Sequence, residues 1–170
     1  MVTVLISDGA PDRVISRTEK EAHLRAFVAK LGYAPKRILL LPPDITRFYS
    51  EAGSITAYLH AHLKPHAEAV HVMPALGTHT PMTEPQIRSM FGPDIPLDDF
   101  LVHDWRGGVR KGGVVPGDFL RELSGGKLDY PVEVEIDKAL TDGGYDLIVS
   151  IGQIVPHEVV GMANYTKNVC

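Results

Sequence analysis

The sequence is poor in the residues that would announce a metal cluster, a disulfide framework or a membrane span. It holds one cysteine, Cys170, so an internal disulfide is excluded, which suits a reducing cytoplasm. No Cys-x-x-Cys or His-Glu-x-x-His pattern is present, so the common zinc signatures are missing. Gly-x-Gly-x-x-Gly and Walker patterns are also missing, which argues against a standard dinucleotide or P-loop site. No apolar run approaches the roughly 20 residues of a membrane-spanning helix. The first residues, Met1 to Ile6, carry neither a charged leader nor a signal-peptide apolar core. Basic runs are absent and the formal net charge is −4, which argues against a nucleic-acid partner, since phosphates need Lys and Arg to neutralise them.

What is present suits a globular domain. Apolar residues make up 44% of the chain and charged residues 22%, and 170 residues are enough to bury a sizeable core. Apolar runs read as strands at Thr3 to Ile6, Arg37 to Leu41, Val70 to Pro74, Phe100 to His103 and Asp146 to Gly152, with an alternating strand near an edge at Val132 to Ile136. Helices are expected over Thr18 to Leu31, Ser54 to Leu63 and Thr83 to Phe91. Thr18 with Glu21, and Thr83 with Gln86, have the spacing of capping boxes. Arg106 to Gly117 reads as a hairpin or loop, and Asp137 to Leu140 as one helical turn. Strand and helix patterns alternate through the first half, which predicts an α/β fold with a mostly parallel sheet and helices on both faces. The last strand has no covering helix after it. The expectation is therefore that residues 1–170 are the front part of a longer protein.

The stretch Val70 to Thr83 organises the chain. It runs as a strand, breaks at Gly77, and places Thr78, His79 and Thr80 in a strand-to-helix loop. Two further loops after apolar strands carry reactive side chains: Asp44, Thr46 and Arg47 in one, His157 and then Asn164 and Lys167 in the other. Parallel strands would bring all three loops to one sheet edge, where α/β folds bind ligands. Arg47 can clamp a carboxylate or phosphate. His79 and His157 can exchange protons near neutral pH. Lys167 can act as a nucleophile or covalent anchor. Each residue also has a plain reading: Arg47 pairing only with Asp44, His79 and His157 capping their loops, Lys167 exposed at the surface. His103 beside Asp104 is a secondary candidate. His60, His62 and His66 read as a solvated group, not a metal site.

Three motifs together resemble the N-terminal domain of the lactate racemase family, which uses a nickel-pincer nucleotide. They are Asp44-Ile-Thr-Arg47, Ala75-Leu-Gly-Thr-His-Thr-Pro-Met-Thr-Glu84, and Pro156-His-Glu-Val-Val-Gly161 followed by Lys167. Their order and approximate spacing match, and the resemblance spans about Asp8 to Cys170. It implies a Rossmann-like domain and an isomerase that racemises or epimerises a 2-hydroxy acid, lactate-like or larger, by reversible hydride transfer to the nucleotide. By resemblance His79 and His157 are the acid/base pair, one for each enantiomer, and Arg47 holds the substrate carboxylate. Lys167 matches the lysine joined to the cofactor, while Asp44, Thr46 and Thr78 help to bind the nucleotide or position Arg47. The resemblance also implies cofactor-maturation enzymes as partners. The family's nickel-binding histidine and closing C-terminal domain lie beyond Lys167, so these 170 residues would contain no metal ligand and would be inactive alone. Phe48 stands where lactate racemases have proline, and Ala163-Asn-Tyr-Thr166 replaces a glycine-rich run, which implies a branch with another substrate. Two other readings remain open: an enzyme that needs no such cofactor, and a non-catalytic domain binding an organic anion or nucleotide.

Overall fold

A computed structural model describes residues 3–157 and 161–169. Glu158, Val159 and Val160 of the third motif, together with Met1, Val2 and Cys170, lie outside the described residues, as do the side chains of Tyr165 and Thr166.

The centre of the fold is strand β1, Arg37–Leu41, whose leucine-rich run is buried on both sides. Such a strand is stable only between two neighbours and between two covering layers. Its neighbours are β2, Ala69–Val72, and β5, Leu147–Ser150, both parallel to it, in the order β2-β1-β5. One face packs against α1, Arg17–Ala29, α2, Ala52–Leu63, and α3, Glu84–Phe91. Ile38, Leu40, Val70 and Val72 meet Leu59, Leu63, Met90 and Phe91 there. On the other face Leu39, Leu41 and Met73 are covered by Leu101, by Tyr145, and by Ala139 and Leu140 of α5, Lys138–Asp142. The expected α/β fold, with a parallel sheet and helices on both faces, is the one observed. Among the described residues no helix is long and apolar enough to cross a membrane.

Several local expectations are corrected. Thr3 to Ile6 forms no strand, because no sheet edge receives it. It lies instead by α1, where Lys30 Nζ donates to the Leu5 carbonyl at 2.7 Å. Helix α1 is capped by Ser16 with Glu19, not by Thr18 with Glu21: the Ser16 amide donates to Glu19 Oε2 at 2.9 Å and the Glu19 amide returns to Ser16 Oγ. Helix α2 begins at Ala52, ahead of Ser54. The Thr83 and Gln86 capping box is present. Phe100 makes only an isolated parallel bridge to Val72, after which the chain leaves the sheet. Val132 to Ile136 does form a strand, β4, Val132–Asp137, but it pairs antiparallel with β3, Val109–Val115, as a hairpin apart from the main sheet. Helix α4, Gly117–Leu123, lies between these two strands in the chain. Strands β6, Pro156–His157, and β7, Gly161–Met162, form a second small hairpin.

His60 departs from the reading of the histidine group as solvated surface, which holds for the exposed His62 and His66. His60 is buried, and its Nε2 donates to Asp99 Oδ2 at 2.8 Å, while Lys64 Nζ donates to both Asp99 oxygens at 2.7 and 2.8 Å. Burial alone pushes the Asp99 carboxyl up. The Lys64 and His60 hydrogen bonds outweigh it and hold the carboxyl below its usual range. A carboxyl lowered in the folded state stabilises fully above its unfolded value, about 4, and that stability is lost as pH falls through the folded value. Asp99→Ala is therefore expected to cost about 2 kcal/mol at pH 7, since it leaves His60 buried without its partner. Urea midpoints should show the difference from the parent shrinking in acid.

Candidate functional site

Loops leave the carboxyl ends of β1, β2 and β5, the edge at which open α/β sheets bind ligands. The first two stay together beyond the sheet: Pro43 bridges Ala75 in parallel, and the Ala75 amide donates to the Pro42 carbonyl at 2.8 Å. The chain then turns at Gly77, whose φ of 57° lies in the left-handed region where a Cβ is costly. The His79 amide closes that turn on the Leu76 carbonyl at 2.9 Å. This pairing carries Asp44 to His79, residues far apart in sequence.

Asp44 is 4% exposed, and every hydrogen bond it makes is local to this site. Its Oδ1 accepts from the Thr46 amide at 3.2 Å and the Thr46 hydroxyl at 2.5 Å, which caps the short 3-10 helix Ile45–Ser50 carrying Arg47. Its Oδ2 accepts from His79 Nδ1 at 2.7 Å. A carboxylate can only accept, so the proton of a neutral His79 lies on Nδ1 and Nε2 is left as the accepting nitrogen. The His79 side chain is 56% exposed, so the ring is anchored from below and open to solvent above. Asp44 thus serves His79 and Thr46, and not Arg47.

Arg47 and Lys167 are brought to one small cavity of about 30 Å³, which Pro43, Gly152 and Asn164 also line. Neither cation makes an ion pair among the described residues, and no carboxylate lines this cavity with them. The Lys167 loop is tied back to the sheet: Ser150 Oγ donates to Asn164 Oδ1 at 2.8 Å, and Asn168 Nδ2 donates to the same oxygen at 2.6 Å. Lys167 also lines a second cavity of about 230 Å³, with Gly77 on its wall. Two cations without an ion pair among the described residues, at the end of a parallel sheet, have the chemistry to attract an anion.

The other expected residues are placed as follows. Thr78 is exposed in the turn before His79. His157 lies on β6 and on neither cavity wall. Asp104 accepts from the Gly107 amide at 3.1 Å and gives His103 no hydrogen bond, so the two do not work as a pair. Among the described residues no three His, Cys, Asp or Glu side chains gather to hold a metal ion. Sequence reasoning missed the pairing of Asp44 with His79, and the wall formed by Trp105, Glu135 and Asp137. For the first the signal was partial: both residues follow apolar strands, Asp44 by three positions and His79 by seven. For the second there was none, because the wall comes from a hairpin outside the sheet.

Fold and site define an α/β domain that gathers Arg47, Lys167 and a histidine oriented by a buried aspartate at the ends of its parallel strands. A family model described as the lactate racemase N-terminal domain matches residues 11–170, and the chain belongs to that family. Its fold is similar to that of a crystallised Thermotoga maritima protein, with a TM-score of 0.71 at 21% identity, covering 84% of this chain and 34% of the other. The chain thus spans about a third of that protein's length. No curated protein matches the sequence.

Proposed function

We propose that this chain is the front domain of a racemase or epimerase of 2-hydroxy acids, lactate-like or larger, working in the cytoplasm with a nickel-pincer nucleotide. The observation that carries the reading is the 2.7 Å hydrogen bond from His79 Nδ1 to the buried Asp44 carboxylate, which makes Nε2 a proton acceptor at the open mouth of the site. The residues fit the cofactor: Lys167 makes no ion pair among the described residues and lines both cavities, one of them a space of 230 Å³. Lys167 would hold the cofactor covalently, and Thr78 would contact its nucleotide. When bound, the group supplies reversible two-electron chemistry at the substrate's α-carbon.

The chain's own side chains do the rest. Arg47, which makes no ion pair among the described residues, receives the substrate carboxylate through two parallel hydrogen bonds. His79 Nε2 takes the proton of the α-hydroxyl and returns it. His157 does the same for the opposite enantiomer, since mirror-image substrates need a proton acceptor on each side. Thr46 fixes Asp44, and Asp44 fixes the ring of His79. Partners on this reading are the hydroxy acid and the enzymes that build the cofactor.

The test is a screen of enantiopure 2-hydroxy acids against the full-length enzyme, produced with nickel and the maturation enzymes. One of them is expected to lose its optical rotation, and none to do so when the maturation enzymes are omitted. Equal turnover without maturation would favour a cofactor-free enzyme.

A further inference from the structure

Lys167 stands on a short 3-10 turn, Tyr165–Asn168, that follows the β6–β7 hairpin. Its ammonium rides on a flexible four-carbon stem, so where it can reach depends on how this turn is held. Two anchors hold it. After the lysine, Val169 packs against Leu39, Leu41 and Met73 on one face of the sheet. Before the lysine stands Asn164, on which the hydrogen bonds of the turn converge. Its φ of 55° lies in the left-handed region, which among residues with a side chain asparagine tolerates best. Its carbonyl accepts from the Lys167 amide at 3.1 Å. Its Oδ1 accepts twice: from Ser150 Oγ at 2.8 Å, at the end of β5, and from Asn168 Nδ2 at 2.6 Å. Gly152 makes room for this approach. It has a φ of 152°, and a Cβ added there would lie 3.2 Å from Asn164 Cγ.

One side-chain oxygen therefore ties the lysine turn both to the sheet and to its own last residue. Asn164 itself lines the small cavity that Arg47 and Lys167 share. We infer that Asn164 is the positioning residue of Lys167: through Ser150 it docks the turn on the end of β5 and presents the lysine amine at the cavity shared with Arg47. A tethered amine reacts fast only if its geometry is set beforehand, and a misplacement of about 1 Å can cost on the order of 100-fold. A backbone preference alone would be met by glycine, which also adopts a positive φ. Glycine offers no oxygen to Ser150 and Asn168, so it separates the two roles. The use of Lys167 as a covalent anchor rests on the function proposed above, whereas its positioning by Asn164 does not.

The probe is pyridoxal 5′-phosphate, whose phosphate a guanidinium can hold while its aldehyde meets an amine. The neutral ε-amine adds to the aldehyde carbon, water leaves, and borohydride delivers a hydride to the imine and fixes the adduct. Labelling of the full-length protein is followed lysine by lysine, by peptide mass spectrometry, over a range of probe concentrations. Lys167 is expected to label saturably and ahead of the exposed Lys127. In Asn164→Gly the limiting rate at Lys167 should fall about tenfold or more, while the half-saturating concentration, set by phosphate on Arg47, stays within about twofold. Arg47→Met should do the reverse. Ser150→Ala should slow Lys167 as well and add nothing on top of Asn164→Gly, because it acts through the same oxygen. Lys127 should label as in the parent throughout. The labelling needs neither nickel nor maturation enzymes, so failure of the cofactor reading would leave this result standing. A parental limiting rate in Asn164→Gly, equal slowing at Lys127, additive losses with Ser150→Ala, or no preference for Lys167 in the parent would overturn the inference.

Discussion

His79→Gln and Asp44→Asn are each expected to lower the proposed racemisation at least about 100-fold, with the double variant no slower than His79→Gln alone. The size follows from removing a positioned general base. The lack of further loss follows because Asp44 acts only through His79. In Asp44→Asn the side-chain oxygen still accepts from Thr46, so the loop keeps its cap. The amide now donates to His79 Nδ1, which drives the ring proton to Nε2, where the substrate hydroxyl must be accepted. The effect should fall on kcat with KM little changed. A purely structural Asp44 would instead give a change in thermal midpoint that accounts for the lost activity, and penalties that add in the double variant.

Arg47→Met is expected to raise KM for the proposed hydroxy acid and to lower kcat/KM by about 100-fold, the scale of losing a bidentate charge-assisted pair to the substrate carboxylate. Arg47→Lys recovers only part of it, because an ammonium cannot make the two parallel hydrogen bonds of a guanidinium. Neither change should alter stability, since Arg47 is exposed and makes no ion pair among the described residues. Comparison of kcat/KM on the acid and on its uncharged amide would show the arginine's effect confined to the acid.

How much of this was legible in the sequence differs by element. The run Arg37 to Leu41 could only be a strand buried on both faces, because five residues with four consecutive aliphatics leave no polar face. Thr83 with Gln86 likewise announced the start of α3. Thr3 to Ile6 and Phe100 to His103 have equally apolar patterns and do not extend the sheet, because a strand exists only where a neighbour has free edge groups. His60 looked solvated among other histidines until Asp99, distant in sequence, was folded against it. At the site, residue types and the loops that carry them were readable. That Asp44 serves His79 and leaves Arg47 uncommitted was not, since it depends on the bridge between Pro43 and Ala75. The cavity around Trp105 depends on a hairpin whose docking no local pattern records.

The most direct test of the account is the intact mass of the full-length protein, produced with nickel and the cofactor-making enzymes. The account predicts an added mass equal to the nickel-pincer nucleotide, carried on Lys167 and lost in Lys167→Ala. An unmodified mass, from cells in which the same maturation enzymes load a known racemase, would contradict it and leave Arg47, His79 and Asp44 as the site of some other chemistry.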